Sequence, residues 1–140
     1  MEDIRSVLSQ FHTKKKKTDI QKSGDGPQAE PSTSAIPDLF FDEVILKFKI
    51  SRQEIAILMC LYRQIWSKPN LYRSHGIGPL NSYQQLATAL HLSIDELTHG
   101  LRSLENLGLI ETVRSGQYFI RKYFTEEFDN KFGQDYDQFL

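Results

Sequence analysis

The chain has 140 residues, 39% of them hydrophobic and 25% charged, with a formal net charge of −1. This length suits one domain, no apolar run approaches the ~18 residues of a membrane span, and the near-neutral charge does not by itself indicate nucleic-acid binding. The first residues lack the basic and apolar regions of a secretory signal, and Cys60, the single cysteine, has no partner for an intrachain disulfide. We therefore expect a cytoplasmic protein.

We interpret residues 1–36 as a flexible, disordered N-terminal arm. Ile4, Leu8 and Phe11 are spaced as on one face of a short amphipathic helix, so they form either a contact for a partner protein or a nascent helix that is mostly disordered alone. Four lysines at 14–17 follow, as a solvated tail or as a contact to a DNA backbone. The rest of the arm is rich in glycine, proline and serine, and it buries too little apolar surface to offset the entropy of folding.

Residues 37–124 are predicted to form the folded domain. Asp38 is placed to cap a short first helix. Ser51 and Glu54 then match a capping box, and apolar residues recur behind them every three or four positions, which predicts a strong helix with one buried face. This helix is expected to end before Pro69, because the residue preceding a proline disfavours the helical conformation.

Two shorter helices are predicted after a loop of about a dozen residues. Ser82 supplies a cap for the first of them, which ends at a tight break at His91. Ser93 and Glu96 form a second capping box, and leucines at helical spacing follow it. Gly108 is well placed for the left-handed conformation that ends many helices.

Residues 109–113 and 118–123 alternate between apolar and polar side chains, as strands do, and residues 114–117 are suited to a turn between them. Helix, helix, tight turn, helix and hairpin follow one another in that order. The sequence therefore predicts an α+β winged helix-turn-helix, in which a three-helix core carries a β-hairpin wing.

The motifs in residues 80–110, with the leucine-alanine helix, the Leu-Ser corner and the Gly-Leu-Ile exit, resemble winged-helix regulators of the MarR and GntR types. The stretches 36–40 and 48–54 resemble the N-terminal winged helix of DnaD-type and phage or plasmid replication initiators. The resemblance covers about residues 36–123 and implies DNA binding in transcription regulation or in replication initiation. The initiators carry a second domain that these residues lack, so their DNA-remodelling and helicase-loading activities are not implied.

If the domain binds double-stranded DNA, the third helix presents its N-terminus and its polar face to phosphates and base edges, and the wing grips the adjacent backbone. Residues 37–124 hold ten Lys or Arg and eight Asp or Glu, a modest excess of +2. The candidate contacts on the third helix are Ser93, Asp95, Glu96, His99, Arg102, Ser103 and Asn106. The candidate contacts on the wing are Arg114, Gln117, Arg121 and Lys122.

The alternative function is a winged helix that binds protein, either a partner or a second copy of the chain. Residues 125–140 hold five acidic groups and one lysine, and aromatic residues recur at an interval of four. The candidate contacts of this segment are Phe124, Phe128 and Phe132. Such a helix either packs back on its own domain or docks on a partner, and a further hypothesis is that the acidic tail competes with DNA for the wing.

The sequence predicts no catalytic activity. The four histidines are scattered and lack the spacing of a zinc site, and Cys60 lies on an apolar helical face, where we expect a buried small hydrophobe. The glycines at 76 and 78 lack the preceding strand and the following lysine of a phosphate-binding loop. We therefore predict no enzyme, no metal, no cofactor and no small-molecule substrate.

Overall fold

A computed structural model describes residues 30–67 and 69–137 of the chain. They form an α+β fold in which several helices precede a β-hairpin and one short helix follows it. The compact unit begins at Ser34, three residues before the predicted start of the domain, and residues 30–33 have no regular secondary structure. None of the described helices is long and apolar enough to cross a membrane.

The first helix in the described part of the chain, α1, joins a π-helical stretch, Phe40–Val44, to an α-helical turn, Ile45–Phe48. Phe40 and Val44, the first and last residues of the π-helical stretch, are buried in the core. The predicted cap is wrong, because Leu39 occupies the N-cap position and no side chain caps the helix. Asp38 contributes its backbone carbonyl instead, which accepts hydrogen bonds from the N–H groups of Phe41 and Asp42 at 3.0 Å.

The longest of the described helices, α2, spans Arg52–Trp66, and its predicted capping box is confirmed. The Ser51 hydroxyl accepts from the Glu54 N–H, and the Ser51 N–H donates to the Glu54 carboxylate, both at 3.2 Å. The helix ends before Pro69, as the sequence predicts. Its buried face consists of Ile57, Leu58, Leu61, Tyr62, Ile65 and Trp66.

Helices α3, Tyr83–Leu90, and α4, Ile94–Asn106, are separate elements joined by a tight turn, as predicted. The turn begins at His91, which adopts the left-handed conformation with φ of 56°. The Leu92 N–H then donates to the Ala87 carbonyl at 2.9 Å, which satisfies a carbonyl at the end of α3. This reversal lets α4 pack across α3 rather than continue it.

The start of α4 carries the predicted second capping box, formed by Ser93 and Glu96. Leucines 97, 101 and 104 are buried in the core. Where α4 faces α2, Gly100 is buried, and a β-carbon at this position would collide with Cδ1 of Ile57. The absence of a side chain at Gly100 therefore sets how closely the two helices approach.

Strands β1, Glu111–Arg114, and β2, Gln117–Phe119, form an antiparallel hairpin with a bulge near Val113. The turn lies where the sequence predicts it. The second strand was expected to reach residue 123 and is shorter. Beyond its end, side chains of α2 provide hydrogen-bond donors for the backbone carbonyls. Trp66 Nε1 donates to the Ile120 carbonyl at 3.0 Å, and Tyr62 Oη donates to the Lys122 carbonyl at 2.8 Å.

The segment 76–81 runs along the other edge of β2, where the sequence predicted only a loop. The Gly78 N–H donates to the Tyr118 carbonyl at 3.1 Å, and the Ile120 N–H donates to the Gly76 carbonyl at 2.9 Å. An isolated antiparallel bridge joins Ile77 to Phe119. Consequently β2 is hydrogen-bonded on both edges, and β1 is the outer strand.

The last helix, α5, spans Glu126–Lys131 and packs back on the domain. The Phe124 ring stacks on Tyr62, with 4.8 Å between ring centroids, and Phe128 is also buried. Phe124, the last residue of the predicted domain, is therefore a core side chain. The sequence left open whether this aromatic segment packs on its own domain or docks on a partner. Phe124 and Phe128 pack on their own domain.

Candidate nucleic-acid interface

The outward face of α4 carries four polar side chains, Asp95, His99, Arg102 and Asn106. All four are exposed, and they lie opposite the buried leucines of the same helix. Within the described residues, none of these side chains makes a hydrogen bond or an ion pair. Four of the seven residues predicted for this helix thus form one exposed stripe.

The other three predicted residues of α4 are occupied within the domain. Ser93 caps the helix, and Glu96 accepts from the Ser93 N–H at 2.9 Å and from Gln53 Nε2 at 2.6 Å. These hydrogen bonds, above all the one from the Ser93 backbone, hold the pKa of Glu96 below its ordinary value. Ser103 donates to Glu54 at 2.9 Å and so faces α2 rather than the outside.

Glu54 joins the cap of α2 to the side of α4. Burial alone would raise the pKa of its carboxyl, but the hydrogen bonds from Ser51 and Ser103, with a favourable charge interaction from His99, lower it overall. The carboxylate is therefore ionised in the folded domain. Its contacts hold α4 at a fixed rotation about its own axis, which keeps the outward stripe turned away from α2.

Arg114 lies at the end of the hairpin and is held in place there. Its Nε donates to Gln117 Oε1 at 3.0 Å, and Gln117 Nε2 donates to the Gly78 carbonyl at 3.0 Å. Among the described acidic groups, none forms an ion pair with Arg114, and the residue is exposed. The two predicted wing residues thus form a unit in which Gln117 positions the Arg114 cation.

Arg121, one of the predicted wing contacts, makes an ion pair within the domain. Its Nη1 lies 3.2 Å from Oδ2 of Asp129, which is 1% exposed, and its guanidinium stacks over Phe119 at 5.1 Å. The charge of Arg121 is therefore neutralised within the domain. Lys122 follows the second strand rather than lying on it, and its Nζ lies over the Tyr123 ring at 5.6 Å.

Asp129 is the centre of a polar network that the sequence did not reveal. Besides Arg121, its carboxylate accepts from the Tyr136 hydroxyl at 2.6 Å and from the Tyr123 N–H at 3.1 Å. The Tyr136 hydroxyl accepts in turn from the Lys122 N–H at 2.8 Å. Burial and the hydrogen bond to Asp129 both raise the pKa of Tyr136. In the sequence, Asp129 is only one of five acidic residues near the end of the chain, so nothing marks it as buried.

A groove of about 230 Å³ separates α4 from the hairpin and was also missed. Tyr83 lies 3.1 Å from Tyr118, oxygen to oxygen, and it accepts from the Ser115 hydroxyl at 3.4 Å. These hydrogen bonds lower the pKa of Tyr83, and the one from Ser115 has the largest effect. Burial raises the pKa of Tyr118. The feature of the sequence that could have indicated this groove is Tyr83, an aromatic residue directly after the Ser82 cap. The groove is lined by Tyr83, Thr98, Leu101, Arg102, Glu105, Thr112 and Tyr118.

The residues predicted to contact a protein partner fall into three groups. Ile4, Leu8 and Phe11 lie outside the described residues. Phe124 and Phe128 are buried within the domain, which occupies them as core side chains. Phe132 is 51% exposed and packs one side of its ring against Tyr123, 5.1 Å between centroids.

Within residues 30–67 and 69–137, no group of three His, Cys, Asp or Glu side chains is arranged to hold a metal ion. Comparison of the chain with protein-family models, with curated proteins and with solved structures gives no match. The functional assignment therefore depends on the geometry of the domain itself.

Proposed function

We propose that this domain is a winged helix-turn-helix that binds double-stranded DNA, with α4 in the major groove and the hairpin against the neighbouring backbone. The order of elements supports the fold assignment, because a capped helix reverses into a second one that leads directly to a hairpin. The segment 76–81, hydrogen-bonded to β2 ahead of α3, anchors the hairpin to the helical part of the domain. The process served would be transcription regulation or replication initiation.

The exposed stripe on α4 is the observation that carries the proposal. It holds one guanidinium, one carboxylate, one imidazole and one amide, and within the described residues none of these side chains makes a hydrogen bond or an ion pair. A helix about 10–12 Å in diameter fits the major groove, where such groups meet base edges.

The cations on this side of the domain are few, and α4 also exposes the acidic residues Asp95, Glu96 and Glu105. Arg102 on the stripe and Arg114 on the hairpin are exposed, whereas Arg121 is neutralised by Asp129. Each phosphate contact contributes about −0.9 to the slope of log affinity against log salt concentration. We therefore expect a shallow salt dependence for the folded domain. Lysines 14–17, outside the described residues, would steepen it if they contact the backbone.

The first experiment measures binding of the full chain to a labelled duplex of mixed sequence by fluorescence anisotropy, at about 50 and 200 mM salt, the range over which phosphate contacts weaken. We expect binding at low salt and a loss of affinity as salt rises. A chain that binds no duplex at the lower salt concentration contradicts the proposal.

The second experiment locates the surface. Arg102→Ala and Arg114→Ala should each weaken binding, and Arg114→Ala should also reduce the salt slope by about one. Arg63→Ala is the matched control, because Arg63 is an exposed cation on α2 and its loss changes the net charge equally. Circular dichroism checks that each variant is folded. If all three variants bind alike, α4 and the hairpin are not the interface.

A protein-binding function is favoured by a separate observation. Two apolar side chains of α1 are largely exposed, Phe41 at 53% and Leu46 at 68%, and Phe132 on the C-terminal side is 51% exposed. Sedimentation of the wild type and of Phe41→Ser with Leu46→Ser tests whether they mediate self-association. Concentration-dependent dimerisation that the double variant abolishes, without any duplex binding, would establish this function in place of the first.

A further inference from the structure

We infer that the C-terminal segment, residues 125–137, is autoinhibitory. It covers the base of the hairpin face that would lie on DNA, and its Asp129 occupies Arg121 where a phosphate would otherwise bind. This inference rests on the proposed DNA binding and adds a regulation of the same surface. It develops one hypothesis that the sequence left open, in which an acidic tail competes with DNA for the wing.

The C-terminal segment covers part of one face of the hairpin. Gln117 and Phe119 are two residues apart on β2, and alternate residues of a strand share a face. The guanidinium carbon of Arg121 lies 5.1 Å from the centre of the Phe119 ring, so Arg121 continues this face away from the tip. Gln117 positions Arg114 at the tip, whereas the Tyr136 ring packs edge-on against Phe119 at 5.0 Å. The segment therefore covers the base of the face whose tip presents Arg114.

Three polar contacts fix the C-terminal segment to the residues that follow β2. The Asp129 carboxylate accepts from Arg121 Nη1 at 3.2 Å and from the Tyr123 N–H at 3.1 Å. The Tyr136 hydroxyl accepts from the Lys122 N–H at 2.8 Å. Two of the four residues that the sequence predicts as wing contacts, Arg121 and Lys122, are thus held by this segment.

The Asp129 carboxylate offers Arg121 the same kind of contact as a phosphate. A guanidinium donates to carboxylates and to phosphates through similar N–H···O hydrogen bonds. The Arg121 side chain is 25% exposed, so a phosphate reaches it from solvent. When Arg121 turns to a phosphate, Asp129 keeps its hydrogen bonds from Tyr123 and Tyr136, which limit the cost of a buried unpaired charge. Arg121 therefore exchanges between two anions without unfolding of the segment.

The other acidic residues of the C-terminal segment act in the same direction. The segment holds five Asp or Glu and one Lys, a net charge of −4. Glu126 lines a groove of about 510 Å³ together with Phe119 and Arg121, which places a second carboxylate beside the covered face. Charges repel phosphates within a Debye length of about 10 Å at 0.1 M salt. The segment therefore weakens the attraction of the hairpin for a DNA backbone.

A competing explanation assigns the Asp129–Arg121 pair only to the stability of the domain. The two explanations differ in one observable. A purely structural pair alters the free energy of unfolding and leaves the affinity of the folded domain for DNA unchanged. An autoinhibitory pair adds a phosphate contact when Asp129 is neutralised, and a phosphate contact changes the salt dependence of binding.

The test measures binding of the full chain to a labelled duplex of mixed sequence by fluorescence anisotropy over a series of salt concentrations. Glu43→Gln is the matched control for Asp129→Asn, because it removes an exposed carboxylate from α1 and changes the net charge equally. We expect Asp129→Asn to bind at least about 5-fold more tightly than this control. Its slope of log affinity against log salt concentration should steepen by about 0.9. Asp129→Asn with Arg121→Met should lose both effects.

A second pair of variants tests the charge of the segment at its surface. Asp135 and Asp137 are exposed, and Asp135→Asn with Asp137→Asn should bind more tightly than the control Asp42→Asn with Glu43→Gln. Circular dichroism checks folding, and this second pair decides the outcome where Asp129→Asn is unfolded. A folded Asp129→Asn that matches Glu43→Gln in affinity and salt slope overturns the inference and leaves the proposed function intact. If the wild type and every variant bind no duplex, the proposed function fails with it.

Discussion

The buried carboxylate of Asp129 gives the most informative stability prediction. Its three partners are Arg121 at 3.2 Å, the Tyr136 hydroxyl at 2.6 Å and the Tyr123 N–H at 3.1 Å. Removal of one partner of a buried ion pair costs about 3–5 kcal/mol. Since the Arg121 side chain is 25% exposed, water offsets part of the loss, and we expect Asp129→Asn to lower the free energy of unfolding by about 2–3 kcal/mol.

Urea denaturation followed by circular dichroism measures this change, and a thermal scan should show a fall of about 10–20 °C in melting temperature. The matched control is Glu127→Gln, two residues before Asp129 on α5. Its carboxylate is 75% exposed and lies 3.7 Å from Lys47 Nζ, so its loss should cost less than about 1 kcal/mol.

A double-mutant cycle separates the ion pair from the rest of the network. Asp129→Asn with Arg121→Met should cost less than the sum of the two single changes, because the double variant leaves no unpaired charge. If Asp129→Asn lies within about 0.5 kcal/mol of the wild type, the change falls within the range of an ordinary surface substitution. That result would refute the importance of the buried network.

Two further predictions concern α2 and α4. Gly100→Ala should destabilise the domain by about 1–3 kcal/mol, because its β-carbon would collide with Ile57, and Ile57→Val should recover part of that loss in urea denaturation. The pKa of Glu54 is lowered on folding from 4.5, so its contribution to stability is present above that pH and is lost as the pH falls through the folded-state pKa. Glu54→Gln should therefore flatten the pH dependence of the unfolding free energy below about pH 4.5, as measured by urea denaturation at several pH values.

The helices were predictable because their signals are local. Each capping box pairs a serine with a glutamate three residues later, and both boxes start helices at the expected residues. The break between α3 and α4 was also predictable, since it depends on neighbouring residues around His91. The turn of the hairpin follows from the same kind of short-range chemistry.

The features that the sequence did not reveal depend on partners far apart along the chain. The segment 76–81 lacks strand-like alternation, and it is extended because β2, some 40 residues later, supplies its hydrogen bonds. Arg121 and Lys122 look like ordinary basic wing residues until α5 folds back and Asp129 reaches Arg121. Charge alone gave no indication that one acidic residue is 1% exposed while its neighbours face water.

The pairing of β2 on both sides has a consequence for how the hairpin meets any ligand. Gly116, with φ of 86°, packs so tightly against the Asn81 carbonyl that a β-carbon would not fit, and its own carbonyl accepts from the Asn81 N–H at 2.7 Å. These contacts restrict the backbone of the hairpin tip, which therefore has little freedom to bend. Binding of a ligand to the hairpin tip would therefore cost little backbone entropy. Selectivity would then depend on how well the shape of the unbound tip already fits the ligand, and not on a change of conformation during binding.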